Sequence, residues 1–178
     1  MKAGKNIVII GGMGQGKTYY TKSRILTPAQ KVGFDLCIYD INGEYEEFKN
    51  KFDFINAPHP PEKAFMEMAV ENKMTVNVFE EATYFLPHNT QHKEVYKTMQ
   101  LKRHKNTFNV FLFTAIRSLP LYISAMTDQV ILFKTADNIQ HLKNRYEHTP
   151  IWWNAIKKAQ NFRPLDFVKF NPSEIVTL

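Results

Sequence analysis

Residues 11–18 read GGMGQGKT and match the phosphate-binding pattern G-x-x-x-x-G-K-[ST] at every fixed position. The run NIVII at residues 6–10 comes directly before this octet and predicts a short buried strand, because β-branched apolar residues favour strands. Residues 19–26 follow the octet and predict a helix. A strand, a glycine-rich loop and a helix in this order constrain the chain to an α/β unit with the loop between them.

Each residue type in the octet suits contact with a nucleoside triphosphate. Glycines permit a tight turn whose N–H groups point inward at phosphate oxygens. The Lys17 ammonium can reach the β- and γ-phosphates, and the Thr18 hydroxyl is suited to ligating Mg²⁺. We therefore expect ATP and Mg²⁺ as cofactors, held by the nine residues Gly11, Gly12, Met13, Gly14, Gln15, Gly16, Lys17, Thr18 and Tyr19.

Apolar strand-like runs alternate with segments of helical spacing along the rest of the chain, which predicts a mainly parallel sheet with helices on both faces. The run at residues 107–115 is the most apolar and is expected at the centre of the sheet. The predicted strands are residues 6–10, 35–41, 53–56, 75–79, 107–115, 129–133 and 166–170. The predicted helices are residues 19–26, 44–51, 62–72, 91–104, 138–147 and 152–160.

The composition predicts one domain over residues 1–178, since 178 residues with 44% hydrophobic content suffice for one core and no internal repeat divides them. The longest apolar stretch, residues 108–116, is too short to span a bilayer, so we expect no transmembrane segment. A formal charge of +6 favours acidic partners such as nucleic acid.

Two acids follow the predicted strand at residues 75–79, and a threonine ends the most apolar strand. Hydrolysis of a triphosphate needs an acid in the metal shell and a group that activates water. We assign the metal role to Glu80, together with Thr18, and the water-activating role to Glu81. Thr114 is expected to contact the γ-phosphate, because the carboxyl ends of parallel strands meet at one edge of the sheet.

Charge that develops on the transferred phosphoryl group also needs a cation. Arg103 precedes the most apolar strand and Arg117 follows it. Either can act as an arginine finger, in trans across a subunit boundary. Arg103 also fits a basic helix end that complements the helix dipole, and this alternative stays open here.

Three further segments resemble the HerA branch of the FtsK–HerA ATPases. Residues 40–45 (DINGEY) are similar to the D-x-x-G-E-Y segment after the second strand, and residues 79–82 (FEEA) to the acidic D-E-A. Residues 103–107 (RHKNT) resemble the R-H-x-G segment before a strand that usually ends in T-Q. Two positions depart from the pattern, because Glu80 replaces an aspartate and Ala115 stands where glutamine is usual. Either Thr114 or Arg117 is expected to take the place of that glutamine at the γ-phosphate.

The resemblance implies a RecA-like Mg²⁺-dependent ATPase that forms a homo-oligomeric ring of five or six subunits and pumps double-stranded DNA. Compact members of this superfamily package viral genomes into preformed capsids. This resemblance implies a capsid vertex or portal-like protein and a viral membrane protein as partners, with a location in the host cytoplasm or virion. Zonula-occludens-toxin-like phage assembly ATPases share the R-H signature and imply the alternative function, assembly or secretion of protein without DNA.

The basic residues of the segment before the most apolar strand are candidates for contact with DNA. Lys93 and Lys97 are four residues apart and fall on one face of the predicted helix, which is either a DNA-facing surface or an ordinary solvated face. Residues 87–90 are a candidate pore loop. Trp152 and Trp153 either stack on bases or pack a terminal helix onto the sheet.

Overall fold

The computed structural model describes residues 4–48, 53–55, 62–86 and 91–173, and these form seven strands and eight α-helices. The strands are β1 (Asn6–Ile10), β2 (Asp35–Asp40), β3 (Asp53–Ile55), β4 (Thr75–Phe79), β5 (Phe108–Phe113), β6 (Gln129–Phe133) and β7 (Phe167–Phe170). The helices are α1 (Lys17–Tyr20), α2 (Thr27–Lys31), α3 (Glu62–Glu71), α4 (Ala82–Phe85), α5 (Lys93–Lys105), α6 (Leu121–Met126), α7 (Ile139–Tyr146) and α8 (Pro150–Ala159).

The strands form one sheet in the order β3-β2-β4-β5-β1-β6-β7. All neighbouring pairs are parallel except β6 and β7, which are antiparallel. The predicted mainly parallel sheet is therefore confirmed, and β5 holds the central position expected from its apolar run. Because β5 lies between β1 and β4, the residue that follows β5 lies between the phosphate loop and the acids that follow β4.

Helices cover both faces of the sheet, as the alternating pattern predicts. Successive side chains of β1 point to opposite faces, so Val8 and Ile10 join one buried cluster while Ile7 and Ile9 join the other. The first cluster packs under α3, α5, α6 and α8, and the second packs under α2. Two hydrophobic layers thus hold the sheet rigid behind the loops at its carboxyl edge.

A ladder of buried asparagines fixes the relative height of the three central strands. Asn6, Asn77 and Asn109 are fully buried and lie opposite one another in the strand register. The Asn77 amide donates to Asn109 Oδ1, and the Asn109 amide donates to Asn6 Oδ1, each at 2.9 Å. A one-residue slip would leave these amides unpaired in the core, so the ladder holds the loops after β1, β4 and β5 at one level.

The first helix differs most from the prediction, because helical backbone extends from residue 17 to residue 31 rather than 19–26. Its middle turns, Thr21–Leu26, are π-helical and lead into Pro28, which lacks the amide hydrogen that an α-helical ladder needs. In the described part of the helix expected at residues 44–51, the backbone forms a short 3-10 turn at Glu46–Phe48, and residues 49–52 lie outside the described ranges. Helices α4 and α6 were not predicted, because four and six residues carry too little periodicity to be recognised.

The Trp152 side chain packs a terminal helix onto the sheet, the second of the two alternatives for this residue. Its side chain is 3% exposed and stacks on Tyr146 with 5.0 Å between ring centroids, while the Phe170 ring meets its face edge-on. This aromatic cluster attaches α8 to the edge strand β7. Within the described ranges, none of the helices combines the length and apolarity that crossing a bilayer requires.

Candidate active site

A cavity of about 470 Å³ opens at the carboxyl edge of the sheet. Four segments of the chain contribute to its wall: the phosphate loop with the first helical turn, the turn after β2, the pair of acids after β4, and the end of β5. The lining residues are Met13, Gly14, Gly16, Lys17, Thr18, Tyr19, Asn42, Glu44, Glu80, Glu81 and Thr114. The structure therefore brings together the octet, both acids and the threonine that the sequence assigned to one site.

The phosphate loop has the backbone that its glycines were expected to provide. Gly14 and Gly16 have φ angles of 70° and 99°, a left-handed region that L side chains rarely adopt. At residue 16 an added Cβ would also stand 2.5 Å from Leu165 Cδ2. The Lys17 side chain is 8% exposed and its Nζ reaches back to 3.4 Å from the Gly12 carbonyl oxygen.

Gly11 and Gly12 anchor the loop instead of lining the cavity. The Gly11 N–H donates to the Phe113 carbonyl at 3.0 Å, and the Gly12 N–H donates to the Lys134 carbonyl at 2.8 Å. These bonds tie the loop to the end of β5 and to the residue after β6. The amides available to an anion are thus those of the later octet residues, at the start of α1.

The Thr18 hydroxyl donates a hydrogen bond of 2.9 Å to Glu44 Oε2. Donation through its hydrogen leaves the lone pairs of the hydroxyl oxygen free for a cation. Glu44 was not assigned to the site from the sequence, although it belongs to the DINGEY segment at residues 40–45.

Glu80 is 1% exposed and accepts a 2.5 Å hydrogen bond from the Tyr45 hydroxyl. Burial raises the pKa of the Glu80 carboxyl to about 7, and the bond from Tyr45 acts in the opposite direction. The carboxylates of Glu44 and Glu81 contribute to the increase, while the Lys17 ammonium opposes it. A bound cation would favour the ionised carboxylate, so this buried acid matches a metal-shell role.

Glu81 caps the start of α4 with a left-handed backbone, φ 49° and ψ 42°. This conformation is costly for a residue that is not glycine and is typical of residues whose position matters for function. Its side chain is half-buried and lines the cavity beside the phosphate loop, where a water near a γ-phosphate would lie.

Thr114 lines the cavity and belongs to a cluster of hydroxyl groups. It directly precedes Ala115, the position where the resembled ATPases usually have glutamine. The Thr114 N–H donates to Thr83 Oγ1 at 3.2 Å, and the hydroxyl groups of the two threonines are 3.3 Å apart. Thr83 Oγ1 also lies 3.4 Å from Ser118 Oγ. Thr83 was missed from the sequence, because its role depends on the packing of α4 against β5.

Neither candidate arginine finger lines the cavity of its own chain. Arg103 is exposed on the last turns of α5, near the amino end of β5 and so at the opposite edge of the sheet. Arg117 lies at the carboxyl edge with a 78% exposed side chain, its Nε 3.8 Å from Asp137 Oδ1. For Arg103, contact with a γ-phosphate requires a second copy of the chain.

The basic segment before β5 is divided between structural contacts and a mixed-charge groove. Lys102 pairs with Asp128, and Lys105 Nζ donates to the Val70 carbonyl at the end of α3. Lys93 and Lys97 line a groove together with three acids, Glu94 on the same helix and Glu67 and Glu71 on α3. The candidate pore loop at residues 87–90 lies outside the described residues.

The donor set of the cavity fits Mg²⁺ with a nucleotide. Across the described residues, no group of three or more His, Cys, Asp and Glu side chains forms a metal site alone. Mg²⁺ commonly takes one or two protein oxygens together with substrate phosphates and water. The Thr18 hydroxyl and the Glu80 carboxylate are the oxygens that would hold it, and the cation would neutralise charge on phosphate oxygens.

No protein-family model and no curated protein sequence matches this chain. Among solved structures, it is similar to the genome packaging NTPase B204 from Sulfolobus turreted icosahedral virus 2 in complex with ATP-gammaS. That match has a TM-score of 0.78 at 14% identity and covers 96% of this chain and 94% of that chain. The DNA-packaging ATPase from Sulfolobus turreted icosahedral virus gives 0.72 at 16% identity, with coverage of 96% and 94%.

A weaker likeness links the chain to the N-terminal domain of zonular occludens toxin from Neisseria meningitidis. Its TM-score is 0.50 at 10% identity, over 75% of this chain and 78% of that domain. Viral genome-packaging NTPases and zonula-occludens-toxin-like proteins are the two groups that the sequence resemblance named, the second through the R-H signature at residues 103 and 104. The chain has the RecA-like P-loop NTPase fold, and it shares that fold over nearly its whole length with viral genome-packaging NTPases.

Proposed function

We propose that the chain is an Mg²⁺-dependent ATPase that translocates double-stranded DNA and packages a viral genome into a preformed capsid. The observation that carries the proposal is the cavity that joins the phosphate loop, the acids after β4 and the end of β5. Its support is the fold, because viral genome-packaging NTPases match this chain over 96% or more of its length.

The chemistry follows from the positions of the side chains. A water oxygen attacks the γ-phosphorus, the bond to the β–γ bridging oxygen breaks, and ADP and phosphate leave. Glu81 accepts the proton of the attacking water, and Lys17 stabilises the charge that grows on the phosphoryl oxygens. Thr114, at the end of β5 between the phosphate loop and the acids after β4, donates its hydroxyl hydrogen to the γ-phosphate.

The proposal includes a homo-oligomeric ring of five or six subunits in which Arg103 of one chain completes the site of another. Its support is the exposure of Arg103 and its distance, across the whole sheet, from the cavity of its own chain. The proposed partners are DNA, a capsid vertex or portal-like protein and a viral membrane protein, in the host cytoplasm or the virion.

Subunit mixing tests the finger in trans. Arg103→Ala and Lys17→Ala subunits should each hydrolyse almost no ATP alone, because each lacks one half of every site. An equal mixture should recover activity at about a quarter of the sites, those that pair an intact loop with an intact arginine. The control variant is Lys31→Ala, which removes an exposed cation at the end of α2 and takes the place of one of the two variants in the mixture. Mixtures that stay inactive would place the finger elsewhere, with Arg117 the next candidate.

The test of the proposed function is ATP hydrolysis measured with and without linear double-stranded DNA. Hydrolysis should rise several-fold with DNA, and the apparent DNA affinity should fall by about 10³-fold or more between 50 and 200 mM salt if six or more phosphates are contacted. DNA without bound protein and the Lys17→Ala variant provide the controls. Hydrolysis that is indifferent to DNA at every salt concentration contradicts a DNA motor.

The second candidate function is an assembly or secretion ATPase that acts on protein. Two observations favour it: the likeness to the zonular occludens toxin domain, and the acids that share a groove with Lys93 and Lys97. This candidate predicts hydrolysis that DNA leaves unchanged, so the same assay separates the two functions.

A further inference from the structure

We propose that the turn after β2 positions both residues of the predicted magnesium shell, through Glu44 and Tyr45. Glu44 orients the Thr18 hydroxyl, and Tyr45 orients the Glu80 carboxylate. The inference rests on the proposed function only in requiring that Mg²⁺ and ATP bind in the cavity. It does not require hydrolysis, DNA or a ring.

The turn itself is held by one carboxylate. Asp40, the last residue of β2, is 2% exposed. Its Oδ1 accepts the Glu44 N–H at 3.0 Å, and its Oδ2 accepts the Tyr45 N–H at 2.9 Å. Gly43 provides the left-handed backbone that the turn requires, with φ 68°. These bonds fix where two successive side chains leave the backbone, so the sheet edge determines their directions.

The two side chains then hold residues that come from separate segments. Thr18 belongs to α1, and Glu80 follows β4, the direct neighbour of β2 in the sheet. A carboxylate behind a metal-binding hydroxyl accepts a hydrogen bond from it. This bond orients the lone pairs of the hydroxyl oxygen and makes that oxygen a better ligand for a cation. Glu44 is placed to do this for Thr18 at 2.9 Å.

Tyr45 does the corresponding task for the buried acid. Its ring is 1% exposed, and its hydroxyl donates to one oxygen of the Glu80 carboxylate. The phenolic hydroxyl has one hydrogen to donate, and it donates that hydrogen to the Glu80 carboxylate. The second carboxylate oxygen is left for the cation, and the rotation of the carboxylate is restricted.

The experiment measures Mg²⁺ dependence of nucleotide binding, using calorimetry with AMPPCP, a nonhydrolysable ATP analogue, on the full chain without DNA. Glu44→Ala should raise the Mg²⁺ midpoint about 10- to 100-fold while leaving AMPPCP affinity in EDTA within about threefold. Glu44→Gln should shift the midpoint less, because the amide oxygen still accepts the Thr18 hydrogen bond. Tyr45→Phe should also raise the midpoint.

The control variants are chosen to match. Glu47→Ala removes a carboxylate three residues after Glu44 that pairs with Lys22 and not with Thr18. Tyr96→Phe removes a hydroxyl group on α5. Both should leave the midpoint unchanged within about twofold. In a Thr18→Val background, Glu44→Ala should not shift the Mg²⁺ midpoint further, because the effects of substitutions at two contacting residues do not add.

Two results would overturn the inference. One is an unchanged Mg²⁺ midpoint in Glu44→Ala, and the other is a full shift that persists in the Thr18→Val background. The affinity in EDTA reports whether each variant retains its folded site. A chain that passes this test but fails to respond to DNA would contradict the proposed motor and leave the positioning role supported, so the two failures are distinct.

Discussion

Replacing Lys17 by alanine is expected to abolish ATP hydrolysis. The Lys17 side chain is almost entirely buried, and its ammonium group reaches across the phosphate loop toward the Gly12 carbonyl. This places a positive charge at the wall of the cavity, where the β- and γ-phosphates would lie. Removing a preorganised charge of this kind lowers turnover by about 10²- to 10³-fold, and loss of phosphate binding lowers it further.

The measurement is steady-state phosphate release at saturating Mg²⁺, with AMPPCP affinity determined on the same preparation. Lys31→Ala is the matched control, since Lys31 is an exposed lysine at the end of the same helical segment. It should retain the activity of the unaltered chain. Full activity in Lys17→Ala would show that the cavity at the carboxyl edge is not the site of hydrolysis.

Replacing Glu81 by glutamine is expected to lower turnover by about 10²- to 10⁴-fold, the usual contribution of a positioned general base. Glutamine keeps the shape of the side chain but cannot accept the proton of the attacking water. Since Glu81 is not needed to hold the phosphates, AMPPCP affinity and its Mg²⁺ dependence should remain close to those of the unaltered chain. The left-handed backbone at this residue is unaffected by the change.

Single-turnover hydrolysis measures this effect, because it separates the chemical step from product release. Glu147→Gln is the control, an equivalent change at the end of α7, where Glu147 forms an ion pair with Lys143. Equal loss of binding and turnover in Glu81→Gln would indicate a binding role for this carboxylate, and near-normal turnover would assign water activation to another residue.

Much of the fold follows from local patterns. The strands β1, β4 and β6 begin and end where their apolar runs do, and the central place of β5 follows from its burial on both faces. The π-helical turns before Pro28 and the short helices α4 and α6 do not follow, because tertiary packing decides them. The asparagine ladder depends on strand register, which no local pattern specifies.

The candidate site divides in the same way. The octet and the two acids after β4 are recognisable because each segment has its own spacing and position after a strand. Asp40, Glu44 and Tyr45 form a link between two other segments, and that link exists only once β2 lies beside β4. Arg103 stays a prediction for a further reason, because its partner would be a phosphate bound to another chain.

We propose that hydrolysis in this cavity moves the protein along double-stranded DNA. The most direct measurement is displacement of a third strand from a triplex placed on linear duplex DNA, followed over time with and without ATP. Displacement should require both ATP and Mg²⁺ and should be lost in Lys17→Ala and Glu81→Gln. ATP hydrolysis at a normal rate on the same DNA, with the triplex left intact, would contradict this proposal.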